Sequence, residues 1–289
     1  MLWPERVLFS HLSFQESLGC CLLLGFILIS SLYAWRTGLP RNHPRTVKRR
    51  IVSVMVVCGV SPLILLFFSS SSDGHRAYPL STWLGLRSDH LLQAAVYPLI
   101  LTMVLFAGPM VMMMMECSAS ETEEEPQAFQ ILALRNYIVA PFAEEFTFRA
   151  CMLPVLWPHC QLLGSVIVCP FFFGVAHIHH VIERLSNNNG SPVVHICLES
   201  LFQFCYTSVF GAYSCYLFLR TGHLIGPVVC HMFCNFMGFP DFAGIMQFSI
   251  WKAATLACVF VVGLVAFAFL LQPVTDPLLF GNTVYTDVS

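Results

Sequence analysis

Apolar residues along this chain gather into runs of about 18–25 residues, each long enough to cross a hydrocarbon core about 30 Å thick. Eight such runs are readable, near 16–35, 51–70, 91–115, 130–156, 161–182, 193–219, 222–239 and 251–272. Each is expected to be a helix, because in lipid a segment must satisfy its own backbone N–H and C=O groups. The pattern therefore predicts an all-α, polytopic transmembrane helix bundle of about eight spans. It reads as one membrane-embedded domain over 1–289, with a short N-terminal tail (1–15) and a C-terminal tail (273–289). The 130–156 run is the least regular: Arg135 and Asn136 near its start predict an interfacial start or a break. Ser61-Pro62 and Gly108-Pro109 are candidate kinks, since proline removes a helical hydrogen bond.

Composition sharpens this reading. Hydrophobic residues make up 57% of the chain and charged residues 10%, against roughly 25% charged in a soluble domain. A net charge of -2 with no basic, aromatic-interleaved face gives no reason to expect nucleic acid as a partner. The 13 cysteines fall mostly inside apolar runs, where cysteine behaves as a small hydrophobe. With no Cys-x-x-Cys pair, neither a disulfide framework nor a zinc ribbon is expected. The first run lacks a small-x-small cleavage site and is expected to be retained as a helix. Arg36, Arg41, Arg45, Lys48, Arg49 and Arg50 crowd the loop between the first two runs, six of the 14 basic residues. The positive-inside bias places that loop in the cytosol, with the acidic connector around Glu121–Glu125 and the 183–192 loop on the same side and the chain ends opposite. The sequon Asn189-Gly190-Ser191 is followed by Pro192 on the expected cytosolic side, so it is read as a polar turn without a glycan.

Three polar islands interrupt the apolar runs: Glu144-Glu145-Phe146-Thr147-Phe148-Arg149, Phe173-Gly174-Val175-Ala176-His177, and His231-Met232-Phe233-Cys234-Asn235. Ionisable groups cost several kcal/mol inside a bilayer, so they persist when paired or when lining a wet cavity. Glu145 and Arg149 stand four apart with the acid first, the favourable order for an ion pair. Successive helical residues point about 100° apart, so Glu144 projects elsewhere, on the face it shares with Phe148, and is available as a proton acceptor. His177 shares a face with Phe173, and His179 and His180 crowd its turn. His177 either orients a water together with Glu144 or hydrogen-bonds in a packed interior. His231 and Asn235 also share a face, and both can donate to a developing oxyanion or simply bridge helices.

In this order, each on its own apolar run, the islands resemble the signature of the CAAX prenyl protease and bacteriocin-processing superfamily: Glu-Glu-x-x-x-Arg, Phe-x-x-x-His, His-x-x-x-Asn. The stretches Arg149–Pro154, Phe172–His177, Gln203-Phe204, Tyr206-Thr207, Arg220–Pro227 and Asn235–Pro240 look like the type II, Ras-converting branch. The resemblance covers roughly residues 30–275. It implies an eight-helix bundle around a conical cavity open to the cytosol, resident in the endoplasmic reticulum membrane. Such a protein removes the C-terminal tripeptide from farnesylated or geranylgeranylated CAAX proteins, Ras-type small GTPases among them. Carried over by motif position, Glu144 and His177 activate the attacking water and His231 with Asn235 forms the oxyanion hole. Glu145 and Arg149 keep the structural ion-pair role, and Phe148, Phe173 and His180 are expected to line the site. A lipid-tailed substrate suits such a site, because each buried CH₂ favours the bilayer by about 0.8 kcal/mol.

Two rivals remain open at this point. Glu144, His177 and His231 could hold a zinc ion with an open fourth position, although no His-Glu-x-x-His arrangement is present; the expectation is no cofactor. The same polar residues could instead line a transport path or a non-enzymatic binding site, although no paired, broken repeat is visible.

Overall fold

The computed structural model describes residues 6–35, 38–72, 77–116, 126–176 and 192–286. Arg36, the connector around Glu121–Glu125, His177, His179, His180 and the sequon at Asn189 lie outside the described residues.

Helix α1 (Phe14–Ser31) opens with a capping box: Glu16 N–H donates to Ser13 Oγ at 3.3 Å while Glu16 Oε2 accepts from Ser13 N–H at 2.7 Å. Helix α2 (Pro44–Phe68) starts with proline at its first position, where no N–H is needed, and His43 Nδ1 accepts from Arg45 N–H. A short helix α3 (Leu80–Trp83) follows. Helices α4 (Leu91–Leu105) and α5 (Ala107–Glu116) meet at a 69° bend. Pro109 lacks the N–H that would continue the helix to Leu105, so the 91–115 run breaks there.

Helix α6 (Pro126–Leu134), a π-helical turn (Arg135–Val139), α7 (Ala140–Glu145), a second π-helical turn (Phe146–Cys151) and α8 (Met152–Ala176) then follow without a gap. From Phe129 to Ala176 this apolar stretch holds 48 residues, about 72 Å at 1.5 Å per residue. It doubles back at Gln161, whose backbone turns left-handed (φ 48°). After that break, Cys169 Sγ donates to Phe148 O at 2.9 Å, and the Phe173 ring meets Phe148 edge-on at 5.1 Å. The chain continues with α9 (Val193–Thr221), capped by left-handed Gly222, then α10 (Ile225–Met237) and α11 (Ile250–Val274).

The chain is thus a polytopic all-α membrane protein. Five described helical stretches are long and apolar enough to span, six if the bent α4/α5 pair counts as one. The expected figure of about eight differs for two reasons. Two of the expected spans, 130–156 and 161–182, run on as one helical stretch in this count, although the chain doubles back between them at Gln161. Helix α10 has 13 residues, about 20 Å, short of a hydrocarbon core about 30 Å thick. Exposed large side chains such as Phe26, Phe67, Val209, Trp251 and Phe269 stud the outer faces, as expected where lipid is the solvent.

Helix α8 packs most extensively on α9 and α1, while α4 packs on α10 and α11. At Gly263 of α11 an added Cβ would stand 2.6 Å from Val104 O, so only glycine permits that crossing. The segments around Val7 and Tyr285 meet at one end of the bundle. Strand β1 (Val7–Leu8) pairs antiparallel with β2 (Ser70–Ser71), and Trp83 Nε1 donates to Val7 O at 2.9 Å. The Tyr285 hydroxyl donates to Trp83 O, and its ring packs against Trp83, Trp157 and Phe218 at 5.4–5.7 Å. The basic α1–α2 loop lies at the opposite end, where Arg135 Nη1 donates to Asn42 Oδ1 at 3.1 Å.

Candidate active site

The site is built around α7 and the π-helical turns on either side of it. π turns are rare and recur at functional positions, because the wider register frees backbone groups and redirects side chains. In the first of them Ala140 N–H reaches back to Arg135 O. The next donor is missing because residue 141 is proline, which strands the Asn136 carbonyl. Asn235 Nδ2 from α10 donates to that carbonyl at 3.0 Å. One hydrogen of the Asn235 amide therefore holds α10 against the π turn, and the amide has a second hydrogen to offer.

The adjacent glutamates occupy different environments. The Glu145 side chain is 0% exposed. Its Oε2 lies 3.2 Å from Arg149 Nε, an ion pair rather than an aligned hydrogen bond, and also accepts from Ser214 Oγ of α9. Its Oε1 lies 2.7 Å from His231 Nδ1 of α10. Arg149, equally buried, donates through Nη2 to Gly211 O at 3.3 Å and stacks over the Phe173 ring at 4.4 Å. Gly211 permits this approach, because a Cβ there would stand 3.2–3.3 Å from Pro170, Arg149 and Phe173. The charges of Glu145 and Arg149 thus balance inside the protein and are further satisfied by neutral partners.

Glu144 faces the other way, with 29% of its side chain exposed. Its Oε2 lies 3.8 Å from His231 Nε2, too far for a direct hydrogen bond and close enough for one water to bridge both atoms. Nδ1 is committed to Glu145, so Nε2 is the nitrogen presented toward Glu144. The imidazole is clamped from the side by Phe210 at 4.7 Å and Phe173 at 6.4 Å between ring centroids.

Glu144 and Phe148 also line a cavity of about 160 Å³ that extends to Arg135 and Asn136. The expected lining residue Phe148 is on its wall, whereas Phe173 lies behind it, against Arg149 and His231. His177 and His180 lie outside the described residues. Among the described residues no group of three His, Cys, Asp or Glu side chains gathers as metal ligands; of the set weighed for zinc, Glu144 and His231 are described.

Four contributors escaped the sequence reading. Asn136 was read only as a sign of a break, and Phe210, Gly211 and Ser214 were passed over. A signal did exist: Thr207, Gly211, Ser214 and Thr221 recur at spacings of four, three and seven, a small-residue stripe on one helical face.

The fold and this site define a class: a multi-pass membrane protein with a cavity-lining carboxylate set 3.8 Å from a histidine, beside a buried ion pair. Residues 126–237 match the family model described as type II CAAX prenyl endopeptidase, Rce1-like. The chain is 43% identical over 276 residues to CAAX prenyl protease 2 of Homo sapiens, covering 92% of this chain and 83% of that one. It is 39% identical to the Rattus norvegicus protein of that name, covering 92% and 82%. With the Arabidopsis thaliana protein of that name it is 30% identical, covering 94% and 93%. No solved structure matches the chain. The chain belongs to the CAAX prenyl protease 2 family.

Proposed function

We propose that this chain hydrolyses the peptide bond after the prenylated cysteine of CAAX proteins, releasing the C-terminal tripeptide, with Glu144 as general base. The observation that carries this reading is the 3.8 Å gap between Oε2 of the cavity-lining Glu144 and His231 Nε2. A water in that gap gives a proton to Glu144 while its oxygen attacks the scissile carbonyl carbon. His177, by motif position, assists Glu144. The carbonyl oxygen takes up negative charge and is held by Asn235 Nδ2–H and by His231 Nε2–H when the ring carries both protons. On collapse the C–N bond breaks, and the leaving amine takes the proton from Glu144. The products are a prenylcysteine carboxylate and a free tripeptide.

Glu145 serves this step indirectly. It fixes the His231 ring through Nδ1, and Arg149 and Ser214 hold Glu145 in turn. Ras-type small GTPases are the substrates proposed, met in the endoplasmic reticulum membrane with the cavity facing the cytosol. The support for that side is the basic loop at the cavity's end of the bundle.

The test is tripeptide release from a farnesylated CAAX peptide by purified protein in detergent, with and without a strong chelator. Cleavage is expected to persist with chelator. Glu144→Gln is expected to lower it by about 10²–10⁴-fold, the worth of a general base, in a protein that still folds. Cleavage lost with chelator and restored by zinc would replace the glutamate mechanism with a metal one. Undiminished cleavage by Glu144→Gln would remove Glu144 from the chemistry.

A further inference from the structure

The cavity that Glu144 lines carries two guanidinium groups, Arg50 and Arg135, that the hydrolytic step does not use. Its wall includes Arg41 from the α1–α2 loop, Arg50 from α2 and Arg135 from the first π turn. The one carboxylate on that wall, among the described residues, is Glu144. Arg135 is held by neutral amides: Nε donates to Asn136 Oδ1 at 2.9 Å and Nη1 to Asn42 Oδ1 at 3.1 Å. Neither cancels its charge. The Arg50 guanidinium lies 5.6 Å from the Tyr33 ring centroid, and its Nε is buried with no hydrogen-bond partner among the described residues. The Arg50 and Arg135 guanidinium groups, brought together from two elements, repel one another, so their convergence on a cavity is stabilised best by an anion.

We propose that Arg50 and Arg135, with Arg41 beside them, form the subsite for the free α-carboxylate at the C-terminus of the CAAX substrate. This rests on the endopeptidase reading above and deepens it. The lengths agree. Arg135 precedes Glu144 by nine residues, at most about 13 Å along the helix at the α-helical rise of 1.5 Å per residue. Three extended residues span about 10 Å, and an arginine side chain covers the remainder. A substrate with its scissile carbonyl at Glu144 and its tripeptide extended toward Arg135 brings its terminal carboxylate to the guanidinium groups. A longer chain would overrun them, and a shorter one would fall short. The subsite therefore acts as a ruler that sets the cut at three residues from the end, and guanidinium suits it because its fork can hold both carboxylate oxygens.

The experiment compares kcat/KM for one farnesylated CAAX peptide made with a free C-terminal acid and with a C-terminal amide. Charge-assisted hydrogen bonds predict a preference of about 10- to 100-fold for the acid. Arg50→Gln and Arg135→Gln should each pull that ratio toward one. Lys48→Gln, which removes an exposed charge in the first turns of α2 outside the cavity wall, should leave the ratio intact. Equal cleavage of acid and amide by the unmodified protein would overturn the subsite. So would arginine variants that slow both peptides in parallel, and a loss that follows the anionic lipid content of the micelle would reassign the arginines to a lipid headgroup. Cleavage of neither peptide removes the endopeptidase reading itself, a result distinct from equal cleavage of both.

Discussion

Replacing Glu145 with leucine should be among the most damaging single changes available in this protein, and replacing Arg149 as well should undo most of the damage. Both side chains are 0% exposed and 3.2 Å apart. Removing one partner of such a pair costs about 3–5 kcal/mol, because the other charge stays buried without compensation. In Glu145→Leu the His231 Nδ1 proton also loses its acceptor, adding about 1–3 kcal/mol. The Ser214 hydroxyl adds little, since it can turn to a carbonyl of its own helix. The sum, about 5 kcal/mol, is comparable with the whole stability of a domain. Arg149→Met should cost less, about 3 kcal/mol, because Glu145 keeps His231 and Ser214 as donors. The double variant leaves no buried charge, and replacing a whole buried pair by apolar groups is often near neutral. With the double variant costing only the orphaned His231 proton, about 2 kcal/mol, the coupling between the two positions should reach about 6 kcal/mol, read from equilibrium unfolding of all four proteins in mixed micelles titrated with SDS. The refolded double variant should remain inactive, because His231 has lost the acceptor that fixes its ring. Costs that simply add, or a coupling near the roughly 0.6 kcal/mol of an average interhelical hydrogen bond in membranes, would refute the reasoning and show the pair to be screened by water.

Two further outcomes are expected. Asn235→Ala should lower turnover by about 10²–10³-fold as a lost oxyanion donor while costing little stability, since Asn235 is exposed and water can take its place on Asn136 O; unchanged single-turnover rates would return Asn235 to a packing role. His223, in the α9–α10 connection, is held down from 6.5 to about 4 by burial and then by the Arg87 charge. Between those values the unfolded chain binds the extra proton, so stability should be level above pH 6.5 and fall as pH drops toward 4. His223→Gln should flatten that limb of the unfolding curve, and an unaltered limb would assign the acid sensitivity to other groups.

What the sequence by itself determined are the properties that depend on short spacing. Apolar run length sets which segments become membrane helices, because each must satisfy its own backbone. Pro109 marks the α4/α5 break through a missing N–H, and the i, i+4 spacing of Glu145 and Arg149 puts them on one face. The adjacency of Glu144 and Glu145 likewise requires two different directions. Which direction meets which partner is not local. His231 stands 86 residues from the Glu145 it contacts and Ser214 stands 69 away, and a histidine on α10 could have met either glutamate first. The tertiary packing decided it, by seating Nδ1 on the buried carboxylate and turning Nε2 toward the exposed one. Packing also folded the 130–156 and 161–182 runs back on one another at Gln161; run length marks the break between them but not what each half meets. It stranded the Asn136 carbonyl where Asn235 could cap it. It drew Arg41, Arg50 and Arg135 from three elements onto one wall with Glu144, because a charge's position in the chain does not say which cavity it will face.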